Sequence, residues 1–114
     1  MRQLKIKMPL FPSTIRVFFD LGEYLTSYPH VSHMDFSCYK AFVQEQRNGI
    51  CMVLLNYSDA VLAHESVHAA YAVLNYTGVK VDYTNDEPLA YCVEHIFKKV
   101  QEHRFKELAK DETD

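Results

Sequence analysis

The chain has 114 residues, 48% of them apolar, and a formal charge of −3. That length leaves room for one core and no second. The slightly acidic balance argues against nucleic acid as a partner, and no apolar run reaches the roughly 18 residues that a membrane span requires.

The N-terminus, "MRQLKIKMPLFP", carries basic residues without a continuous apolar stretch behind them, so no secretory signal is expected. Cys38, Cys51 and Cys92 are odd in number and form no C-x-x-C pair. They read as reduced thiols packed in the core of a cytoplasmic protein.

In chain order, "QLKIKM" alternates Leu4, Ile6 and Met8 with polar neighbours and predicts a short edge strand. The Pro9 to Pro12 stretch breaks it. "TIRVFFDL" (14–21) is rich in β-branched and aromatic residues and predicts a second strand. "LGEYLTSY" predicts a short helix ended before Pro29, and "PHVSHMDFS" a loop. Asn48-Gly49 then lies between two apolar runs, the pattern of a hairpin with a type I′ turn, which pairs 37–46 with 50–56 in antiparallel fashion. "ICMVLL" is apolar on both faces and belongs inside the sheet.

Ser58 or Asp59 caps a helix over 59–76 that Gly78 closes. "VKVDYT" is a connection. Asn85 or Asp86 opens the last helix, with Pro88 early, and the helix runs to about Leu108. Residues 109–114 form a frayed acidic tail. The whole predicts one α+β domain over 1–108: a small antiparallel sheet of three to four strands packed against two long C-terminal helices.

The chemistry concentrates in "VLAHESVHAA" (61–70). His64 and His68 are four apart, so on a helix both project from one face and two imidazoles can reach one tetrahedral ion. Glu65 follows the first histidine and can lean toward a water on the same ion. The surrounding residues offer no charge to pair with it. A helix apolar all round is normally buried, and burying these three polar groups costs several kcal/mol unless they have partners. A metal would supply them; histidines bonded to backbone or tyrosine are the alternative.

A catalytic zinc site takes a third protein ligand and keeps one position open. Leu74 stands where H-E-x-x-H-x-x-G-x-x-H places its third histidine, so that arrangement is absent. The remaining candidate is Glu87 at the start of the last helix, with eighteen residues between it and His68. Acids are favoured in a first turn in any case. Tyr91 and Glu94 share its face. Glu94 orients a ligand histidine, replaces Glu87 as ligand, or faces water, and the first of these is preferred. Tyr91 donates to a developing oxyanion or packs between helices. His30, His33 and Asp35 form a weaker cluster in a loop, and His95 and His103 lie along one stripe of the last helix without a spacing that demands a site.

On these residues the chain resembles the zincins. The uncharged surroundings of H-E-S-V-H and the eighteen-residue gap to Glu87 are similar to the gluzincin branch of zinc metallopeptidases. "HESVHAAYAVLNYTGVKVDYTNDEPLAYCVEHIF" also resembles small bacteriophage proteins with a "HExVHA…NDExxAY" pattern. The likeness covers about the C-terminal half. It implies a minimal zincin-like core with one Zn2+ per chain, bound by His64, His68 and Glu87, with Glu65 as general base. The departure is size, since gluzincin peptidases carry a second lobe that this chain lacks.

The leading expectation is a zinc-dependent hydrolase, a small metallopeptidase acting on a peptide or protein that aligns along a sheet edge. The alternative is a catalytically silent, zinc-stabilised protein that binds a host or partner protein. The expected compartment is the cytoplasm, that of a bacterial host if the chain is phage-borne.

Overall fold

The computed structural model describes residues 2–47 and 49–113, with side chains to Lys110. Four strands, β1 (Leu4–Lys7), β2 (Thr14–Phe18), β3 (Ala41–Gln46) and β4 (Gly49–Leu54), form one sheet in the order β1-β2-β4-β3. Three helices complete the domain: α1 (Leu21–Ser27), α2 (Asp59–Tyr76) and α3 (Glu87–Thr113). A single 3-10 turn spans Pro29–Val31. The expected α+β class is what the chain adopts. None of the helices among the described residues is long and apolar enough to cross a membrane.

The sheet is mixed rather than antiparallel. β1 pairs with β2, and β3 with β4, in antiparallel register, but β2 and β4 run parallel, Ile15 beside Ile50 and Val17 beside Met52. Parallel neighbours need a crossover of a dozen or more residues. Here α1, the 3-10 turn and β3 supply it.

Because side chains alternate along a strand, the sheet has two faces, and both are covered. Ile6, Ile15, Val17, Met52 and Leu54 meet α2 and α3, which contribute Leu62, Ala69, Val73, Cys92, Ile96 and Val100. Phe18, Phe42, Cys51 and Val53 meet the smaller aromatic layer of Tyr24, Tyr28 and Phe36. There the Tyr24 hydroxyl donates to Gln44 Oε1 and accepts from Gln46 Nε2 at 2.7 Å. β4 is therefore buried on both sides, as its continuous apolar run predicts.

The hairpin lies one residue earlier than expected. Gly49 pairs with Gln46 as the first residue of β4. Asn48, the other half of the expected turn, lies outside the described residues. Gly49 has φ +140°, and a Cβ there would meet the Thr14 carbonyl oxygen at 2.9 Å, so close strand packing requires glycine.

Local capping sets the ends of α2. The Ser58 side chain accepts from the Val61 N–H at 3.0 Å. At the other end Gly78 takes φ +76°, its N–H reaching the Asn75 carbonyl and the Val79 N–H reaching that of Leu74 at 2.9 Å. These two bonds make a Schellman motif with Thr77 as C-cap. A turn around Asp82, which accepts from the Thr84 N–H and hydroxyl, then reverses the chain into α3. The helical backbone of α3 continues past Leu108 to Thr113, through most of the segment expected to fray.

Candidate metal centre

Along α2 the buried positions are Leu62, Glu65, Ser66, Ala69, Ala70, Val73 and Leu74, recurring every three to four residues. One face meets the core; the other, with His64, Val67, His68 and Tyr71, meets solvent. The helix is thus not buried all round, and the expected burial of its histidines does not occur. Its small, uncharged outer residues imitate a core pattern without packing in one. Burial falls on Glu65 alone, whose side chain is 8% exposed against 69% for His64.

The three groups converge. His64 Nε2 and His68 Nε2 are 3.3 Å apart. Glu65 Oε1 is 3.8 Å from His64 Nε2, and a ligand atom from each residue lies within 4.8 Å of the other two. Two imidazole nitrogens on a tetrahedral zinc at about 2.0–2.1 Å sit about 3.3–3.4 Å from each other, a separation that the observed pair matches. The same spacing also lets one neutral imidazole donate to the other. What a histidine–histidine bond does not satisfy is Glu65 Oε2, which is buried without a hydrogen-bond partner among the described residues. A buried carboxylate oxygen left bare is costly, and it is the other oxygen, Oε1, that lies near His64.

The site opens into a groove of about 720 Å³ between α2 and β3. Tyr39, Ala41, Phe42, Val43 and Glu45 form one wall, and His64, Glu65, His68, Tyr71, Ala72 and Asn75 the other. β3 is an edge strand, so its outer backbone groups are free to pair. Sequence reasoning did not single out Glu45, Tyr39 or Tyr71 as groove residues. Only the sheet order, which brings β3 beside α2, reveals them.

Glu87 does not join this group. The groove takes its lining from α2, β3 and Tyr39, whereas α3 packs against α2 and β1. Glu87 and Glu94 are exposed and border a separate groove on α3 with Asp86, Phe97 and Lys98. Eighteen residues suffice to return the chain to α2, but α2 turns its histidines toward β3 and α3 returns on a different flank. Tyr91 is not among the residues lining the groove; it is half-exposed and stacks on His95, ring centroids 6.4 Å apart. Neither the expected third ligand nor the expected oxyanion donor is placed beside the histidines.

His103 and His30 make contacts of their own. His103 Nε2 lies 2.8 Å from the Arg2 carbonyl oxygen and 3.7 Å from Glu107 Oε1, and its ring stacks on Phe19. His30 Nε2 is 3.0 Å from Gln46 Oε1. Asp35 accepts from Ser37, which holds its carboxyl below the usual range. Among the described residues these form no second group able to hold an ion. His95 Nε2 and Ser66 Oγ are buried without hydrogen-bond partners among the described residues.

Compared with known proteins, the chain matches no family model, no curated protein and no solved structure.

Proposed function

We propose that this protein is a zinc-dependent hydrolase acting on peptides, with His64 and His68 holding one zinc ion and Glu65 as general base. The observation that carries the reading is the approach of Glu65 Oε1, 3.8 Å from His64 Nε2, to two exposed imidazoles whose Nε2 atoms lie 3.3 Å apart. A zinc ion there would acidify its water toward a pKa of about 7 and polarise a substrate carbonyl. Glu65 would serve as general base toward the water and pass that proton to the amine as the C–N bond breaks. Its burial keeps it from wandering into solvent, and the α2 backbone fixes its distance from His64. The free edge of β3 positions an extended substrate by backbone pairing, with side chains entering the groove.

The decisive experiment compares zinc-loaded wild type with Glu65→Gln on a peptide mixture read by mass spectrometry. Turnover falls by about 10²–10⁴ in the variant while zinc content stays at one per chain. Equal turnover in both removes Glu65 from the chemistry.

A second reading is favoured by the position of Glu87 away from the histidines: a zinc-stabilised binding protein without turnover. With two imidazoles as its protein ligands, the site falls one short of the usual catalytic set. Under that reading Glu65→Gln leaves the biological effect intact. For either reading the free thiols of Cys38, Cys51 and Cys92 suit a reducing cytoplasm, and the resemblance to phage proteins suits that of a bacterial host.

A further inference from the structure

Building on the hydrolytic reading, we propose that Glu45 selects the substrate: an extended peptide along β3 that carries lysine or arginine directly across from it. Alternation along β3 sends Phe42, Gln44 and Gln46 toward the aromatic layer, where the two glutamines hold the Tyr24 hydroxyl. Ala41, Val43 and Glu45 turn the other way, into the groove that contains His64 and His68. Glu45 is exposed, and its carboxylate has no ion-pair or hydrogen-bond partner among the described residues. Arg47, just beyond the strand, borders the adjoining cavity with Glu45 but forms no ion pair with it.

No lysine or arginine lines the groove among the described residues, and its other carboxylate, Glu65, is buried beside the imidazoles. The rest of the lining is aromatic, aliphatic or amide. The exposed negative charge of the groove thus sits at one fixed position on an edge strand. A peptide that pairs with this edge places one residue opposite Glu45, with Cβ atoms about 4.5–5.5 Å apart. At that distance an opposite charge is attractive and a like charge repulsive. Residues of the peptide on either side alternate out of the groove, so the preference applies to one position and not to net charge.

The test walks a single lysine, glutamine or glutamate through a neutral, apolar peptide and measures kcat/KM with the zinc-loaded protein. One position shows lysine favoured over glutamine by about two- to fivefold, an advantage that shrinks at high salt. Glu45→Gln erases the preference at that position, and Glu45→Lys inverts it in favour of glutamate. A lysine preference unchanged in both variants, with circular dichroism confirming their fold, overturns the proposal. If no peptide is cleaved by wild type, the hydrolytic reading fails on its own. The same peptides, fluorescently labelled, then report the preference as affinity for the zinc-loaded protein. A lysine advantage that inverts in Glu45→Lys upholds Glu45 as selector, and equal affinities refute it.

Discussion

Glu65→Gln should stabilise the metal-free protein, and the effect can be sized from the environment of the side chain. Glu65 is 6% exposed, its Oε1 is 3.8 Å from His64 Nε2 and its Oε2 has no partner. An unsatisfied buried polar group costs about 1–3 kcal/mol, and more when charged. The glutamine amide keeps the shape and part of the polar cost but loses the charge, so the variant gains about 1–2 kcal/mol. For 114 residues the unfolding entropy is roughly 0.24 kcal/mol/K, which turns that gain into a Tm higher by about 4–8 °C. Thermal unfolding followed by circular dichroism in chelator reads it directly. Zinc at a hundredfold excess over its Kd should raise wild type by about 2.7 kcal/mol, and the advantage of the variant should shrink as Glu65 gains a polar partner. A lower Tm for Glu65→Gln in chelator would falsify the picture of a carboxylate held without adequate partners.

His64→Ala and His68→Ala should each abolish the zinc-induced rise in Tm while leaving the chelator Tm within about 0.5 kcal/mol of wild type, as both side chains are exposed. Glu87→Ala should leave zinc stoichiometry unchanged by titration calorimetry and cost about 0.3–1 kcal/mol through its place in the first turn of α3. Gly78→Ala should cost about 1–2 kcal/mol in urea unfolding, from the left-handed backbone alone, since a Cβ there meets nothing. Burial holds the Tyr24 phenol above its ordinary value of 10.0, so the folded state binds that proton more tightly than the unfolded state. Its contribution is therefore complete below that ordinary value and is lost as pH rises through the folded value. Tyr24→Phe should lose about 0.5–1.5 kcal/mol at neutral pH with the bonds to Gln44 and Gln46, yet fall less steeply than wild type in alkaline urea unfolding.

Both ends of α2 were legible in the sequence because their causes are local: Ser58 caps, and Gly78 closes a Schellman motif, within a few residues of the helix. β4 was legible because apolar residues on both faces leave a strand nowhere but the interior. The parallel pairing of β2 with β4 was not, since nothing near Ile15 or Ile50 encodes which distant strand lies beside it. The hairpin was found but displaced, because Gly49 is required for its approach to Thr14 rather than as a central turn residue. At the site, the i, i+4 spacing correctly placed His64 beside His68. Glu87 failed because a residue count gives the reach of the chain and not the flank on which a helix returns. Glu45 was invisible for the converse reason, being nineteen residues before His64 on a strand whose neighbour only the sheet order reveals.

The central claim is that one ion sits between His64 and His68. X-ray absorption at the zinc edge, on protein loaded with one equivalent, tests it most directly. Two imidazole nitrogens at about 2.0–2.1 Å, with oxygen donors completing the shell and the imidazole signal lost in His68→Ala, are the predicted result. A shell of water alone, or sulfur at about 2.3 Å from the cysteines, would contradict it.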